Sequence, residues 1–498
     1  MSNILGISAG YHDAGVSVVS DNGEILFASH SERFSKIKHD KNVCTEILSE
    51  ARNYGDIETV AWYENVWLKQ LRQIRSGEKS IDMFNFSIKK AISKLFYGHS
   101  DLLNNKIVQF KHHKSHAAAG FQTSPYANAT VVVIDAIGEF QTASIWSAFY
   151  NRAGVAEYKC KWSMRYPTSI GLFYSAFTKA VGLRPMDEEY ILMGMAAYGN
   201  ARNVEQTITN DVIQSYNPLE FKQNLHIGLD YKYSATDFDI AAAAQAMVEK
   251  MIMGVIKRAS RIDRLGNLVY MGGVALNCSA NRLLGTEFDN IWIMPNPGDA
   301  GSSLGAAALA YGKKLKFKDA FLGHNIEGEY PVEKLIAMLQ TRKIVGVANG
   351  RAEFGPRALG NRSLLADPRG NEIKDLVNTI KHRQKFRPFA PVILEEQAHL
   401  YFNMPWGFEK SPYMQVTAMC REPENFPAIV HADGTSRVQT VPDDDSGIRK
   451  LLRRWYNLTG CPMLLNTSLN IRGEPMVNDV QDAERFEREY GVKVFTKA

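Results

Sequence analysis

Ile4-Leu-Gly-Ile-Ser-Ala-Gly10, followed by His12-Asp13, Gly15-Val-Ser-Val-Val19, Asn22-Gly23 and Glu24-Ile-Leu-Phe27, opens the chain as strand, turn, strand, turn, strand. An Asn-Gly pair after a β-branched run marks a hairpin. The pattern returns in Val131-Val-Val-Ile-Asp135-Ala-Ile-Gly138-Glu139, which leads into Thr142-Ala-Ser-Ile-Trp146 and Ser147-Ala-Phe-Tyr150. Each copy begins with an apolar strand, meets a glycine turn beside acidic or imidazole groups, and turns back. Two such copies separated by helical stretches predict a duplicated α/β fold with a cleft between its halves. Further along, helical spacing occupies 171–181 and 237–260, a strand at 268–271 runs into Gly272-Gly273, and a turn at 296–303 opens a small-residue helix. The composition then becomes lysine-rich over 312–330. This predicts a domain of residues 1–335 and a second α/β domain of residues 336–498, with apolar strands at 344–348, 391–394 and 462–465.

The 498 residues are 45% hydrophobic, 22% charged and 10% aromatic, which excludes a disordered or collagen-like chain. The longest apolar run, 240–256, is broken by Glu249 and Lys250 and reads as a buried helix, not a membrane span. The N-terminus has no charged segment followed by an apolar one, so no signal peptide is expected. Cys44, Cys160, Cys278, Cys420 and Cys461 form no C-x-x-C pair, which argues against a disulfide framework or structural zinc. The expected compartment is the reducing cytoplasm, that of the host if the source is a virus. The net charge of +5 does not by itself call for nucleic acid. Its distribution is uneven: between Lys69 and Lys114 stand ten Lys/Arg against three Asp/Glu.

Four constellations carry chemistry. In His112-His-Lys-Ser-His116 the first and last imidazoles share a helical face and can bind one metal, although this spacing alone is more often met in structural helices. A zinc protease needs Glu at the second position, where His113 stands. Asp135 at a strand end and Asp299 in a glycine turn would complete a set suited to Fe, Mn or Zn. The glycine turns at Gly10, Gly138, Gly272-Gly273 and 298–301 could expose backbone N–H groups to phosphates. Arginines interleaved with Gly, Pro and Phe, in Glu353-Phe-Gly-Pro-Arg-Ala-Leu-Gly-Asn-Arg-Ser363 and Lys381-His-Arg-Gln-Lys-Phe-Arg387, suit bidentate anion binding better than a solvated face. Leu465-Asn-Thr-Ser-Leu-Asn470 is either a capped loop or a set of donors for the same phosphates.

These stretches, with 189–199, 272–278, 296–301 and 431–439, resemble the O-carbamoyltransferase family typified by nodulation protein U and the cephamycin and tobramycin carbamoyltransferases. The resemblance runs from residue 4 to about 480. It implies an N-terminal actin/Hsp70-like (ASKHA) domain with His112, His116, Asp135 and Asp299 as ligands of Fe²⁺ or another divalent metal. It implies a C-terminal YrdC-like domain whose K-x-R motif is Lys381 and Arg383 and whose S-x-N motif is Ser468 and Asn470. There carbamoyl phosphate and ATP would give carbamoyl-adenylate and pyrophosphate. Mg²⁺ with Arg357, Arg362, Lys381, Arg383 and Arg387 would neutralise the phosphates. The adenylate would pass without release to the N-terminal cleft, lined by Gly10, Gly138, Gly272, Gly273 and Asn277. There His12 is a candidate base for the acceptor hydroxyl, against the plainer reading of a turn histidine bonded to backbone. One departure is Ile191, where relatives are expected to carry lysine.

For the acceptor, the basic segment, with Arg72, Arg75 and Lys79 and interleaved aromatics, would suit DNA carrying a hydroxymethyl pyrimidine such as 5-hydroxymethylcytosine, flipped from the duplex. The plainer reading of that segment is an amphipathic helix pair with a basic outer face and a sugar-like or antibiotic-type metabolite as acceptor. A sugar kinase on the same N-terminal fold leaves the Arg-rich half unexplained. A non-catalytic nucleotide-binding protein predicts gaps in the charged motifs. No membrane partner is expected, and a homodimer is compatible with the resemblance.

Overall fold

A computed structural model describes residues 2–76, 87–229 and 233–498. The chain divides into two units, one of Met1–Leu26 with Lys41–Phe317, the other of Phe27–Asp40 with Lys318–Ala498.

The first unit holds two five-stranded sheets of the same design. In one, Asn3–Ser8 pairs antiparallel with Gly15–Val19 on one side and parallel with Ile57–Trp62 on the other, and Ile57–Trp62 pairs parallel with Lys106–Gln109. Strand Ile25–His30 is the fifth member; its first two residues belong to this unit. In the other sheet, Asn128–Ile134 pairs antiparallel with Gln141–Tyr150 and parallel with Asn267–Met271. Ala156–Arg165 and Asn290–Trp292 extend it at the two edges. The shared order is the duplicated α/β arrangement expected from the repeated hairpin, and the actin/Hsp70-like design that the family resemblance implies.

The central strands are buried on both faces, as apolar runs in partly parallel sheets must be. Two helices, His112–Thr123 and Ser302–Tyr311, lie in close backbone contact. A Cβ on Gly305 would stand 1.8 Å from the Ser115 carbonyl oxygen. Small residues here let one helix carry two histidines up to the turn that precedes the other. Asp135 and Gly272 follow directly on strand ends, where open α/β sheets place their ligands.

The second unit is built on a six-stranded mixed sheet in the order Gln439–Val441, Ala390–Leu394, Met463–Ser468, Arg362–Ala366, Ile344–Ala348, Val494–Phe495. Its core includes Leu335 and Leu339 of helix Val332–Arg342 and Leu451, Leu452 and Trp455 of helix Gly447–Thr459. The segment Phe27–Asp40 is anchored in this unit by buried Arg33, whose guanidinium donates to the carbonyls of Glu353, Gly355 and Val477. All five cysteines are free. Among the described residues no helix is long and apolar enough to cross a membrane.

Candidate functional site

In the first unit, helix His112–Thr123 starts with its N–H groups facing Glu139. One carboxylate oxygen of this buried residue accepts from the His112 N–H at 2.9 Å and from the Asn65 N–H at 2.8 Å. This fixes the helix start. The Nε2 atoms of His112 and His116 are 3.1 Å apart. Asp135 Oδ2 is 3.1 Å from His112 Nε2, and Asp299 Oδ1 is 3.2 Å from His116 Nε2. All four side chains are buried, and their facing atoms lie within 4.8 Å of one another. The Gly273 N–H donates to the other Asp135 oxygen at 3.1 Å and sets that carboxylate.

Burial alone would raise both carboxyls. The two imidazoles outweigh it, holding Asp135 well below the usual range and Asp299 at about 2. Burial would likewise lower the imidazoles, and the carboxylates instead raise both, His112 strongly. Four facing ligand atoms of opposite charge in a dry pocket fit a divalent cation, which would replace the imidazole protons. His113, between them, points elsewhere: its Nδ1 meets the Ser144 hydroxyl at 2.7 Å, and burial lowers its pKa.

His12 reaches the same cluster. Its Nδ1 is 3.0 Å from Asp13 and its Nε2 is 4.0 Å from Asp299. Burial pulls it down, but the Asp13 hydrogen bond and the Asp299 charge push it up to about 9. At neutral pH it carries its proton.

The glycine turns do not form the expected phosphate cradle. The N–H of Gly10 donates to Lys41 O, that of Gly138 to Gln141 O and that of Gly272 to Pro297 O, while that of Gly273 serves Asp135. Gly138 instead makes room: a Cβ there would lie 3.0 Å from the His113 ring and 3.2 Å from that of His112. The Asn277 side chain pairs reciprocally with Gln245 and caps a short helix through the Ala280 N–H. Ile191, where lysine was expected, is fully buried and serves packing.

In the second unit the K-x-R and S-x-N motifs meet. Buried Lys381 Nζ faces the carbonyl oxygens of Ser468 and Asn470 at 2.5 and 2.8 Å, and their side-chain oxygens at 3.3 and 3.0 Å. Burial, then the charges of Arg383 and Arg387, hold this ammonium well below the usual lysine range. Arg383 donates to Asn378 Oδ1 at 2.6 Å and to Pro388 O at 3.2 Å, and stacks over Phe389. Arg387 is half-buried. Arg357 is half-buried on a loop whose neighbours are otherwise buried apart from Pro356.

The expectation of an anion-binding Arg362 does not fit its surroundings. It is fully buried, and its guanidinium donates to the carbonyls of His324, Asn349, Gly350, Asn361 and Asn478. No N–H remains for a phosphate.

The basic segment is also less open than its charge count suggests. Arg72 is buried, and Lys69 is held by Glu64 at 2.5 Å. Arg75 is exposed, and Lys79 lies outside the described residues. Helix Val66–Ser76 turns Trp67, Leu71 and Ile74 outward.

Sequence reasoning passed over Glu139, although it stood in the quoted Asp135–Glu139 turn. It also passed over Glu353, the buried acid that opens the Arg-rich motif. An acidic residue beside a glycine turn was the available signal in both cases.

Comparison with known proteins finds matches to both parts of the chain. The family profile described as carbamoyltransferase N-terminus matches residues 80–308, and that described as carbamoyltransferase C-terminus matches residues 336–496. An uncharacterized protein, sll1178, of Synechocystis sp. is 33% identical over 97% of this chain and 94% of its own length. Nodulation protein NolO of Bradyrhizobium diazoefficiens is 30% identical over 75% of each chain. The 3'-hydroxymethylcephem-O-carbamoyltransferase of Amycolatopsis lactamdurans is 27% identical over 95% of this chain and 94% of its own. The chain therefore belongs to the carbamoyltransferase family, enzymes that transfer a carbamoyl group from carbamoyl phosphate to an acceptor hydroxyl.

Proposed function

We propose that the reaction is divided between the two clusters. In the second unit, carbamoyl phosphate, ATP and one water give carbamoyl-adenylate, phosphate and pyrophosphate. In the first, the acceptor hydroxyl attacks the carbamoyl carbon and AMP leaves. The observation that carries this reading is the coexistence of the buried His112, His116, Asp135 and Asp299 quartet with the Lys381, Ser468 and Asn470 cluster, each in its own unit.

Arg357, Arg383 and Arg387 bind phosphate oxygens, and Lys381 holds the Ser468 to Asn470 turn in the shape that receives them. His112, His116, Asp135 and Asp299 would hold the divalent cation. When bound, it supplies Lewis-acid polarisation of a phosphate or carbonyl oxygen. His12 then accepts the proton of the acceptor hydroxyl. For that it must first fall from about 9, which follows once a dication cancels the field of Asp299 and Asp135.

The acceptor is proposed to be the hydroxyl of a small molecule, of the hydroxymethyl or sugar type. The name of the cephem relative supports this class. The alternative, 5-hydroxymethylcytosine in DNA, rests on Arg72, Arg75 and Lys79, of which Arg72 is buried.

The test separates the half-reactions. His112→Ala should stop transfer but leave carbamoyl-phosphate-dependent ATP–pyrophosphate exchange intact. Arg357→Ala should stop exchange. Loss of the same step in both variants would reject the two-site reading. Mass spectrometry of DNA containing 5-hydroxymethylcytosine, incubated beside a panel of sugars and hydroxymethyl metabolites, would assign the acceptor. A carbamoyl adduct on the nucleoside would overturn the small-molecule choice.

A further inference from the structure

The loop between Glu353 and Arg362 is held from inside and from outside. Inside it, one oxygen of the buried Glu353 carboxylate accepts from the N–H groups of Leu359, Asn361 and Arg362 at 2.8, 3.0 and 3.1 Å. Its carbonyls are taken from outside. Asn466 Nδ2 donates to Ala358 O at 3.0 Å, Gln439 Nε2 to Leu359 O at 2.8 Å, and the Tyr330 hydroxyl to Gly360 O at 2.9 Å. Asn466 and Gln439 also bond each other at 2.7 Å, and both are buried.

These two carbonyls immediately follow Arg357. Asn466 sits in the central strand Met463–Ser468, opposite Leu365 and Ala390, two residues before the Ser468 that receives Lys381. Gln439 ends the His431–Gln439 motif, to which the two half-reactions assign no task. One pair of amides thus ties the loop that presents Arg357 to the strand that ends at the Lys381 cluster.

We infer that Gln439 and Asn466 are positioning residues for carbamoyl-adenylate formation, fixing the Arg357 guanidinium relative to Ser468 and Asn470. This rests on the adenylation reading of Arg357. The Gln439 head is spent on Leu359 O and on Asn466, and Asn466 Nδ2 on Ala358 O and Gln439 Oε1, while the buried Asn466 Oδ1 has no hydrogen-bond partner among the described residues. A rigid fork gains its advantage from being held in place, and small displacements of such a group are costly in rate.

The experiment is a mutant cycle read by carbamoyl-phosphate-dependent ATP–pyrophosphate exchange in the full-length enzyme. Gln439→Met conserves volume and removes the donor to Leu359 O. Gln439→Glu keeps the acceptor for Asn466 while removing the same donor, and stands in if the first variant melts early. The background is Arg357→Lys, which retains a charge and a measurable rate but has no planar fork to orient.

Either Gln439 variant should lower kcat for exchange by about tenfold or more in the native background. In the Arg357→Lys background it should cost less than about twofold, because the fork it positions is already gone. A folded Gln439 variant with kcat within about twofold of the native enzyme would overturn the proposal. So would an equal loss in both backgrounds, which would show an action not routed through Arg357. If Arg357→Lys itself exchanged at the native rate, the adenylation role of Arg357 would fail, and the proposal with it.

Discussion

Arg357 and Arg362 stand five residues apart in one motif, and their removal should have opposite signatures. In Arg362→Ala, five carbonyls lose a charged donor. At about 1.5 kcal/mol each, that is roughly 7 kcal/mol. Burial acts the other way, pulling the guanidinium down from 12.5 to about 10. Deleting a charge so disfavoured returns about 3 kcal/mol. The net loss of about 4 kcal/mol is large against the marginal stability of a domain. It should lower the unfolding midpoint of the second unit by about 10 °C. Arg362→Lys should recover little, since three donors cannot serve five carbonyls. Calorimetric unfolding of Arg362→Ala, Arg362→Lys and Arg357→Ala reads this directly, with Arg357→Ala, at a half-buried position, lowering the midpoint least. An Arg362→Ala enzyme that melts normally but fails selectively in pyrophosphate exchange would refute the reasoning and return Arg362 to phosphate binding.

Two further outcomes follow from the first unit. His12 is raised to about 9, so its charge-dependent stabilisation is complete below its ordinary value and fades as pH rises through about 9. In chelator-treated protein, His12→Gln should therefore flatten the pH dependence of chemical denaturation between about 6.5 and 9; an unchanged slope would show that its proton is not held by Asp13 and Asp299. Gly138→Ala places a methyl 3.0 Å from the His113 ring and 3.2 Å from that of His112. It should cost about 1–3 kcal/mol and lower bound metal per chain, measured by elemental analysis; native metal content would deny Gly138 a part in seating the histidine helix.

The duplicated fold was legible because the signal is local. Asn22-Gly23 after a β-branched strand, and the Asp135 to Gly138 turn after another, each specify a hairpin within a few residues. The quartet was legible for a different reason. His112 and His116 declare a shared helical face, and Asp135 and Asp299 sit at a strand end and a glycine turn, where this class of sheet gathers its ligands. Their convergence, from positions 183 residues apart, needed only that architecture. What stayed hidden depends on acceptors that a sequence does not display. The glycine N–H groups looked available for phosphate until Lys41, Gln141 and Pro297 were seen to take them. Arg72 looked like one more cation on an outer face. The helix that carries it points Trp67, Leu71 and Ile74 outward and turns Arg72 in, the reverse of what its amphipathic spacing predicts. The assignment of Phe27–Asp40 to the second unit depends on Arg33 finding carbonyls more than 300 residues away.

The two arginines of the Glu353 motif reduce this difference to one variable. Both are guanidinium groups among Gly and Pro in a stretch poor in acidic partners, and on sequence both qualify as phosphate ligands. A guanidinium has five N–H groups, so its function turns on how many carbonyls the fold aims at it. Arg362 opens a central strand and meets five, which makes it a brace. Arg357 precedes two residues whose carbonyls are held by Asn466 and Gln439, which braces the loop that carries it. A positive charge lifted on a braced loop is what a phosphate ligand requires, since its orientation is then set before substrate arrives. Saturation of its donors by buried backbone carbonyls, more than charge or motif membership, therefore marks Arg362 as structural. The same criterion applies to Lys381, whose ammonium is taken up by the oxygens of Ser468 and Asn470.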